Sequence, residues 1–452
     1  MKKISLFCVL LTAVFLLSGC GLADSFNEFL EGSTSFSYEV KEDHVEITQY
    51  TGRETEVQVP ASIENKPVTV IGEQAFYEFA AITSVTLPES ITEIRDQAFA
   101  GCTALTDLIL PEGLTTLGAY AFYGCRSLSA LELPSSVRSI GEAAFAGCTA
   151  LSSCRLPEGL TELSSSVFYG CQSLTSLSIP ATVVSIGDGA FNTCTALTDL
   201  EIPDSVQELG ASVFGGCTNL RSVTLPAGLT KLEKSSFIGC TALKSLTLPS
   251  SLVSIGDQCF SGCTGLTGLT LPEGLKELGT AAFNQCTALK EMTLPEGLTA
   301  VSPYLFTGCT ALTSVTLSGQ TAGVGEAAFY GCTALTSILL PDTVIELGDA
   351  VFNGCSSLTE LAIPEGVTAL PAYFASFCTS LKTVSLPSSL TAIGEAAFGG
   401  CSSLASLYIP GSVTDIGKNA LVECSPNLCL EGKAGSAAQQ FAEENEIAFK
   451  AH

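Results

Sequence analysis

The chain repeats itself every 23 residues. Pro88, Pro111, Pro134, Pro157, Pro180, Pro203, Pro226, Pro249, Pro272 and Pro295 are evenly spaced, and Pro341, Pro364, Pro387 and Pro410 resume the series in register after Ser318. Cysteines keep the same step from Cys102 to Cys424, and Phe99, Phe122, Phe145, Phe168 and Phe191 begin a third series. A period of this length, sustained this far, excludes most globular folds. Each unit is one supersecondary element that cannot bury its own apolar face and must stack on its neighbours. The 452 residues therefore predict one elongated solenoid rather than two or three domains.

One unit, Pro111 to Leu133, reads PEGLTTLGAYAFYGCRSLSALEL. With its Pro as position 1, apolar residues fall at positions 4, 7, 11, 12, 15, 18, 21 and 23. Positions 21 and 23 alternate as a strand with one buried face does. The proline ends that strand because it has no N–H for the ladder. Gly at position 8 predicts a tight bend, and the Ala-Phe pair at 11 and 12 a helical turn with Phe plugging the interior. Fourteen regular units run from Pro88 to Ile409, after a longer first unit with an insertion around Lys66-Pro67.

Positions 18, 21 and 23 form the Leu-x-x-Leu-x-Leu of a leucine-rich repeat. The full pattern, Leu-x-x-Leu-x-Leu-Pro-x-x-Leu-x-x-Ile-Gly-x-x-Ala-Phe-x-Gly-Cys, resembles the BspA-type leucine-rich repeats of bacterial surface proteins. The opening Val59-Pro60-Ala61-Ser62-Ile63 and the closing Gly435-Ser436-Ala437-Ala438 match as well. The resemblance spans residues 36–452. It implies a mostly β leucine-rich-repeat solenoid of 23-residue units, with a parallel sheet on the concave side and small terminal caps. It also implies a surface-exposed binding protein, in some members an adhesin, with no catalytic residues to carry over.

The N-terminus reads as an export signal. Lys2 and Lys3 precede an apolar run, Ile4 to Leu17, that is shorter than the roughly 20 residues a membrane-spanning helix needs. Leu17-Ser18-Gly19-Cys20 resembles the bacterial lipobox, in which the cysteine receives a diacylglycerol. The expected organisation is a lipoprotein signal peptide at 1–19, a lipidated tether at 20–35, the solenoid with its N-terminal cap at 36–430 and a C-terminal cap at 431–452. Cys20 is the expected lipidation site. The anchor places the chain on the bacterial cell membrane or outer membrane, facing outward.

Chemistry is sparse. His44 and His452 are the only histidines, so neither a His-based nucleophile system nor a zinc site assembles, and no metal, cofactor or catalytic residue is expected. The net charge of −26 repels phosphate backbones and excludes nucleic acid as a partner. Carboxylates recur at position 2 (Glu112, Asp204, Glu296) and position 6 (Glu93, Glu162, Glu208). They read as a solubilising stripe, with weak divalent-cation binding the sharper alternative. The 20 cysteines fit packed free thiols, since one per unit at one buried position gives poor geometry for bridging.

Strand positions 20 and 22 face solvent and are mostly Ser or Thr. Departures from that background are the candidate ligand contacts: Ile109, Arg155, Leu339 and Tyr408 at position 22. Tyr123, Tyr169 and Tyr330 follow the core Phe on the outer side. Exposed aromatics and arginine are the usual anchors of interfaces. The expected activity is binding or adhesion to a protein or glycan outside the cell, by a monomer held to the membrane through Cys20. A passive envelope spacer is the alternative.

Overall fold

The computed structural model describes residues 35–452. The expected signal peptide, Cys20 and the expected tether up to residue 34 lie outside the described residues. What remains is a β-solenoid of stacked coils, with one helix among the described residues, Ala437–Glu444.

The strand at positions 20–22 is present and pairs in parallel with its neighbours one coil away. Glu56–Gln58, Ser84–Thr86 and Asp107–Ile109 form one such run. A second ladder, which alternation in the sequence does not signal, lies at positions 6 and 7. There Glu93–Ile94 pairs with Thr116–Leu117, and that with Ser139–Ile140. Two residues per strand are too few for a period of two to be visible. A third set of inter-coil hydrogen bonds crosses the segment around the core Phe, as in Phe99 N–H to Ala121 O at 2.8 Å. The predicted helical turn there is instead a string of turns with bonds from residue i to i−3, such as Cys102 N–H to Phe99 O at 3.1 Å.

The repeat pattern becomes a core directly. In the Pro111 unit, Leu114, Leu117, Phe122, Cys125, Leu128, Leu131 and Leu133 are all buried. The Phe rings form a column. From Phe76 to Phe352, successive centroids lie 4.8–5.9 Å apart with the planes inclined by no more than 29°. Gly at position 8 serves close approach rather than an unusual φ. A Cβ on Gly210 would sit 2.3 Å from the Asp188 backbone nitrogen of the preceding coil. The left-handed backbone falls instead at position 10, on residues such as Tyr120 (φ 57°) and Ala143 (φ 51°), and on Gly at position 14.

Fifteen cysteines line the interior, and each thiol donates to a backbone carbonyl 26 residues earlier, at 3.0–3.2 Å. That acceptor is the core residue of the preceding coil, Phe in fourteen cases and Ala375 in one. The eighteen described cysteines are all free thiols. Burial pushes Cys154 up to about 12, and Cys148 and Cys171 well above the ordinary thiol range.

The ends are closed by different devices. Phe36–Val40 and Val45–Tyr50 form an antiparallel hairpin, and the second strand pairs in parallel with Lys66–Ile71. Arg95 occupies a position-8 slot and reaches back to the buried Glu46, Nη1 to Oε1 at 2.6 Å. The insertion in the first unit is a small hairpin, Ser62–Ile63 against Lys66 and Pro67, turning through Glu64 and Asn65 with positive φ at both. At the other end Ser406–Ile409, Cys429–Gly432 and Ala448–Ala451 continue the position-22 sheet, with Ala438 and Ala442 of the helix buried against it.

The two irregular units keep the stack. Ser318 replaces proline, yet its carbonyl still accepts from Thr321 N–H at 3.0 Å. Thr321 fills a core Leu or Val position, is 1% exposed, and its hydroxyl has no partner. A buried hydroxyl left unpaired costs about 1–3 kcal/mol. Thr321→Val should therefore raise stability by about 1 kcal/mol, read as a higher urea midpoint with unchanged slope. A lower midpoint would show that the site is shaped around the hydroxyl. In the unit from Pro364, Phe374 and Ala375 exchange the usual Ala-Phe order. The Phe374 ring stands nearly perpendicular to Phe352 and Phe398, at 81° and 87°.

Candidate binding surface

The seven candidate residues are all exposed, but they divide between two ladders and do not form one site. Ile109 (85% exposed) and Leu339 (80% exposed) stand on the position-22 face with Arg155 and Tyr408. Tyr123, Tyr169 and Tyr330 stand on the turn segment that follows the core Phe.

On the position-22 face, Ile109 and Arg155 are two coils apart with Glu132 between them. Together with Arg138, Pro134 and Pro157 they line an open groove of about 840 Å³. Apolar and cationic side chains meet there over carboxylates of Glu112 and Glu158. Leu339 lies ten coils beyond Ile109, beside Glu360, Ala362 and Ser385, in a smaller depression of about 420 Å³. Tyr408 closes the row. It pairs across the sheet with Glu431, which pairs with Lys450. The His452 ring meets Tyr408 edge to face at 6.1 Å, and its Nε2 lies 2.6 Å from Glu431 Oε2. That contact with His452 is the main reason the Glu431 carboxyl lies below its usual range. No repeat pattern in residues 429–452 signals that His452 returns to this face.

Other exposed side chains escaped the sequence pattern. Tyr77, Tyr373 and Phe377 stand clear of the surface on the turn side. Phe377 takes the position-14 glycine slot, with φ 58°, a departure from the consensus that was open to detection. A polar trough of about 970 Å³ runs along the position-6 ladder, lined by Glu162, Ser185, Glu208, Lys231 and Lys234.

Some carboxylates have structural work, most of them outside the stripe at positions 2 and 6. Asp96, Asp188, Asp257 and Asp349, one residue past the position-8 slot, each accept the backbone N–H of the next coil at 2.7–3.1 Å. At position 2, Asp204 and Glu365 do the same for Ala227 and Ser388. Among the described residues, no three His, Cys, Asp or Glu side chains gather as a metal-holding group. No described helix is long and apolar enough to cross a membrane.

The family described as "BspA type Leucine rich repeat region (6 copies)" matches residues 69–198, 184–313 and 299–427. The chain belongs to that family. Among solved structures, it is similar to a leucine-rich repeat protein from Bacteroides ovatus: 27% identity, TM-score 0.65, over 92% of this chain and 98% of that one. It is also similar to a leucine rich cell surface protein from Faecalibacterium prausnitzii: 25% identity, TM-score 0.46, over 93% and 97%. No curated protein matches the sequence. The family and the Bacteroides structure account for the solenoid. A repeat consensus encodes scaffold, so the ligand must be argued from residues that depart from it.

Proposed function

We propose that this BspA-type solenoid is an exported, membrane-anchored binding module that recognises a protein or glycan ligand at the bacterial surface. The apolar leader and the Leu17-Ser18-Gly19-Cys20 sequence support the anchor. The observation that carries the binding role is the exposure of Ile109 and Leu339 on a strand face furnished mostly with Ser, Thr and Glu. Burying one such side chain against a partner is worth about 1.5–3 kcal/mol. Nothing in the packing of the coil requires an apolar residue there, since Thr fills the same position in five successive units from Thr224 to Thr316.

The test is saturable binding of the full chain to arrayed matrix proteins, mucins and glycans at physiological salt. A specific ligand should lose about ten-fold in affinity with Ile109→Ser or Leu339→Ser, equivalent to about 1.4 kcal/mol. Thermal stability should be unchanged, because neither side chain is packed. Uniform absence of binding by folded protein would overturn the binding role and leave an envelope spacer.

A further inference from the structure

The residue that follows the core Phe reads Tyr77, Ala100, Tyr123, Ala146, Tyr169 in five successive coils. The three tyrosines are 43–50% exposed, whereas Ala100 and Ala146 are each 2% exposed. Rings therefore stand on alternate coils, above a floor of small buried residues. The Phe rings one residue earlier step by 4.8, 5.3, 5.7 and 5.6 Å per coil over this stretch. Every second coil is then about 10–11 Å on, twice the usual strand spacing.

The backbone beneath the row is pinned to the stack. The carbonyls of Ala100, Tyr123, Ala146 and Tyr169 each accept a backbone N–H from the preceding coil, at 2.7–2.8 Å. Tyr120 packs its ring edge on Tyr123 at 5.9 Å, and its hydroxyl donates to Glu142 at 3.0 Å. Glu78 lies beside Tyr77 and raises its phenol above the ordinary range. Carboxylates thus lie beside Tyr77 and beside the Tyr120 that packs on Tyr123, on a chain of net charge −26.

We infer that this row is a binding platform for an extended, uncharged, β-1,4-linked glycan. The inference rests on reading the solenoid as a binding module, and it names the ligand class for one of its faces. A β-1,4 linkage flips alternate sugars, so every second sugar presents the same face, and the repeat of such a disaccharide matches the two-coil step. An aromatic ring offers its apolar face to the C–H face of a sugar. Carboxylates beside the rings accept sugar hydroxyls and repel an anionic polymer. An α-1,4 glucan coils and a β-1,3 glucan curves, so neither keeps three rings in phase. A preformed row needs little ordering on binding.

Titration of the full chain with cellohexaose and chitohexaose tests this, against maltohexaose and laminarihexaose. The chain has no Trp, so its emission comes from ten tyrosines, and the response of the row is the part that is lost in Tyr123→Ala. The β-1,4 hexamers should bind at least ten-fold more tightly than the controls. Tyr123→Ala should cost about ten-fold and Tyr373→Ala, at an exposed ring outside the row, nothing. The paired change Tyr169→Ala with Asn192→Tyr keeps three rings but moves one by a single coil, and it should cost as much as losing a ring. No binding of either β-1,4 hexamer to folded protein would overturn the inference. So would equal binding of the controls, or full affinity in the shifted variant. Arrayed-ligand binding that depends on Ile109 or Leu339 would survive any of those failures, so the two readings fail separately.

Discussion

Raising the pH above 9 should unfold this chain within about one further unit, far more steeply than an ordinary solenoid. The cause is the thiol column. Sixteen described cysteines are buried, and burial holds their protons. Cys102, Cys217 and Cys309 are pushed up to about 12, and Cys125, Cys194 and Cys355 well above the ordinary range. A thiol in the unfolded chain titrates near about 8.5. The folded values are raised, so the contribution of these groups is fully present below the unfolded value. It is lost as the pH climbs toward the folded values, because only the unfolded state releases protons. Each thiol costs about 1.4 kcal/mol of stability per pH unit in that window. Sixteen together approach about 20 kcal/mol per unit, more than the net stability of a typical domain. Circular dichroism at 218 nm against pH, under reducing conditions, should show a sharp transition between about 9 and 10. Replacing Cys217, Cys240 and Cys263 together by Ala should move it upward and flatten it. A protein that stays folded to pH 11 would show that the thiols are not the buried, proton-holding groups described here.

How much of this was legible in the sequence differs by level. The 23-residue period and the burial of Cys102 to Cys401 were legible, because one residue type at one position in every unit can only point one way. The position-6 ladder was not, because two residues show no alternation. Gly at position 8 was legible as special but for the wrong reason. Its role, close approach to the preceding coil, exists only once coils are stacked. Left-handed backbone at position 10 left no trace, since Gln97, Tyr120 and Ala143 share no property that favours it. At the surface, Ile109 and Leu339 were visible as departures from Ser and Thr. That Ile109 and Arg155 share a groove, while Tyr123 and Tyr169 belong to another ladder, depends on how each coil closes.

The Phe column should prove the most sensitive part of the interior to a single truncation. Phe214 is fully buried, with ring centroids 5.7 Å from Phe191 and 5.3 Å from Phe237. Its N–H bonds Ser236 O at 2.9 Å, and its carbonyl accepts the Cys240 thiol at 3.1 Å. With the backbone pinned to the following coil, the cavity left by Phe214→Ala cannot collapse. The cost should be about 4 kcal/mol, as for other buried Phe→Ala changes. A solenoid is stabilised by nearest-neighbour interfaces, so the loss should fall on one coil and its two contacts. Calorimetry should then show one transition splitting into two. The unit from Pro364 supplies the control, because it keeps its ring one residue early, as Phe374, with Ala375 in the usual Phe slot. The coil interior therefore demands one ring's volume more than it demands that position. Val213→Phe combined with Phe214→Ala copies this arrangement and should recover stability to within about 1.5 kcal/mol of the parent, as volume-conserving exchanges do. If the double variant is no more stable than Phe214→Ala alone, the parallel stacking of the rings carries the column, and the turned ring at Phe374 must be stabilised by its own surroundings.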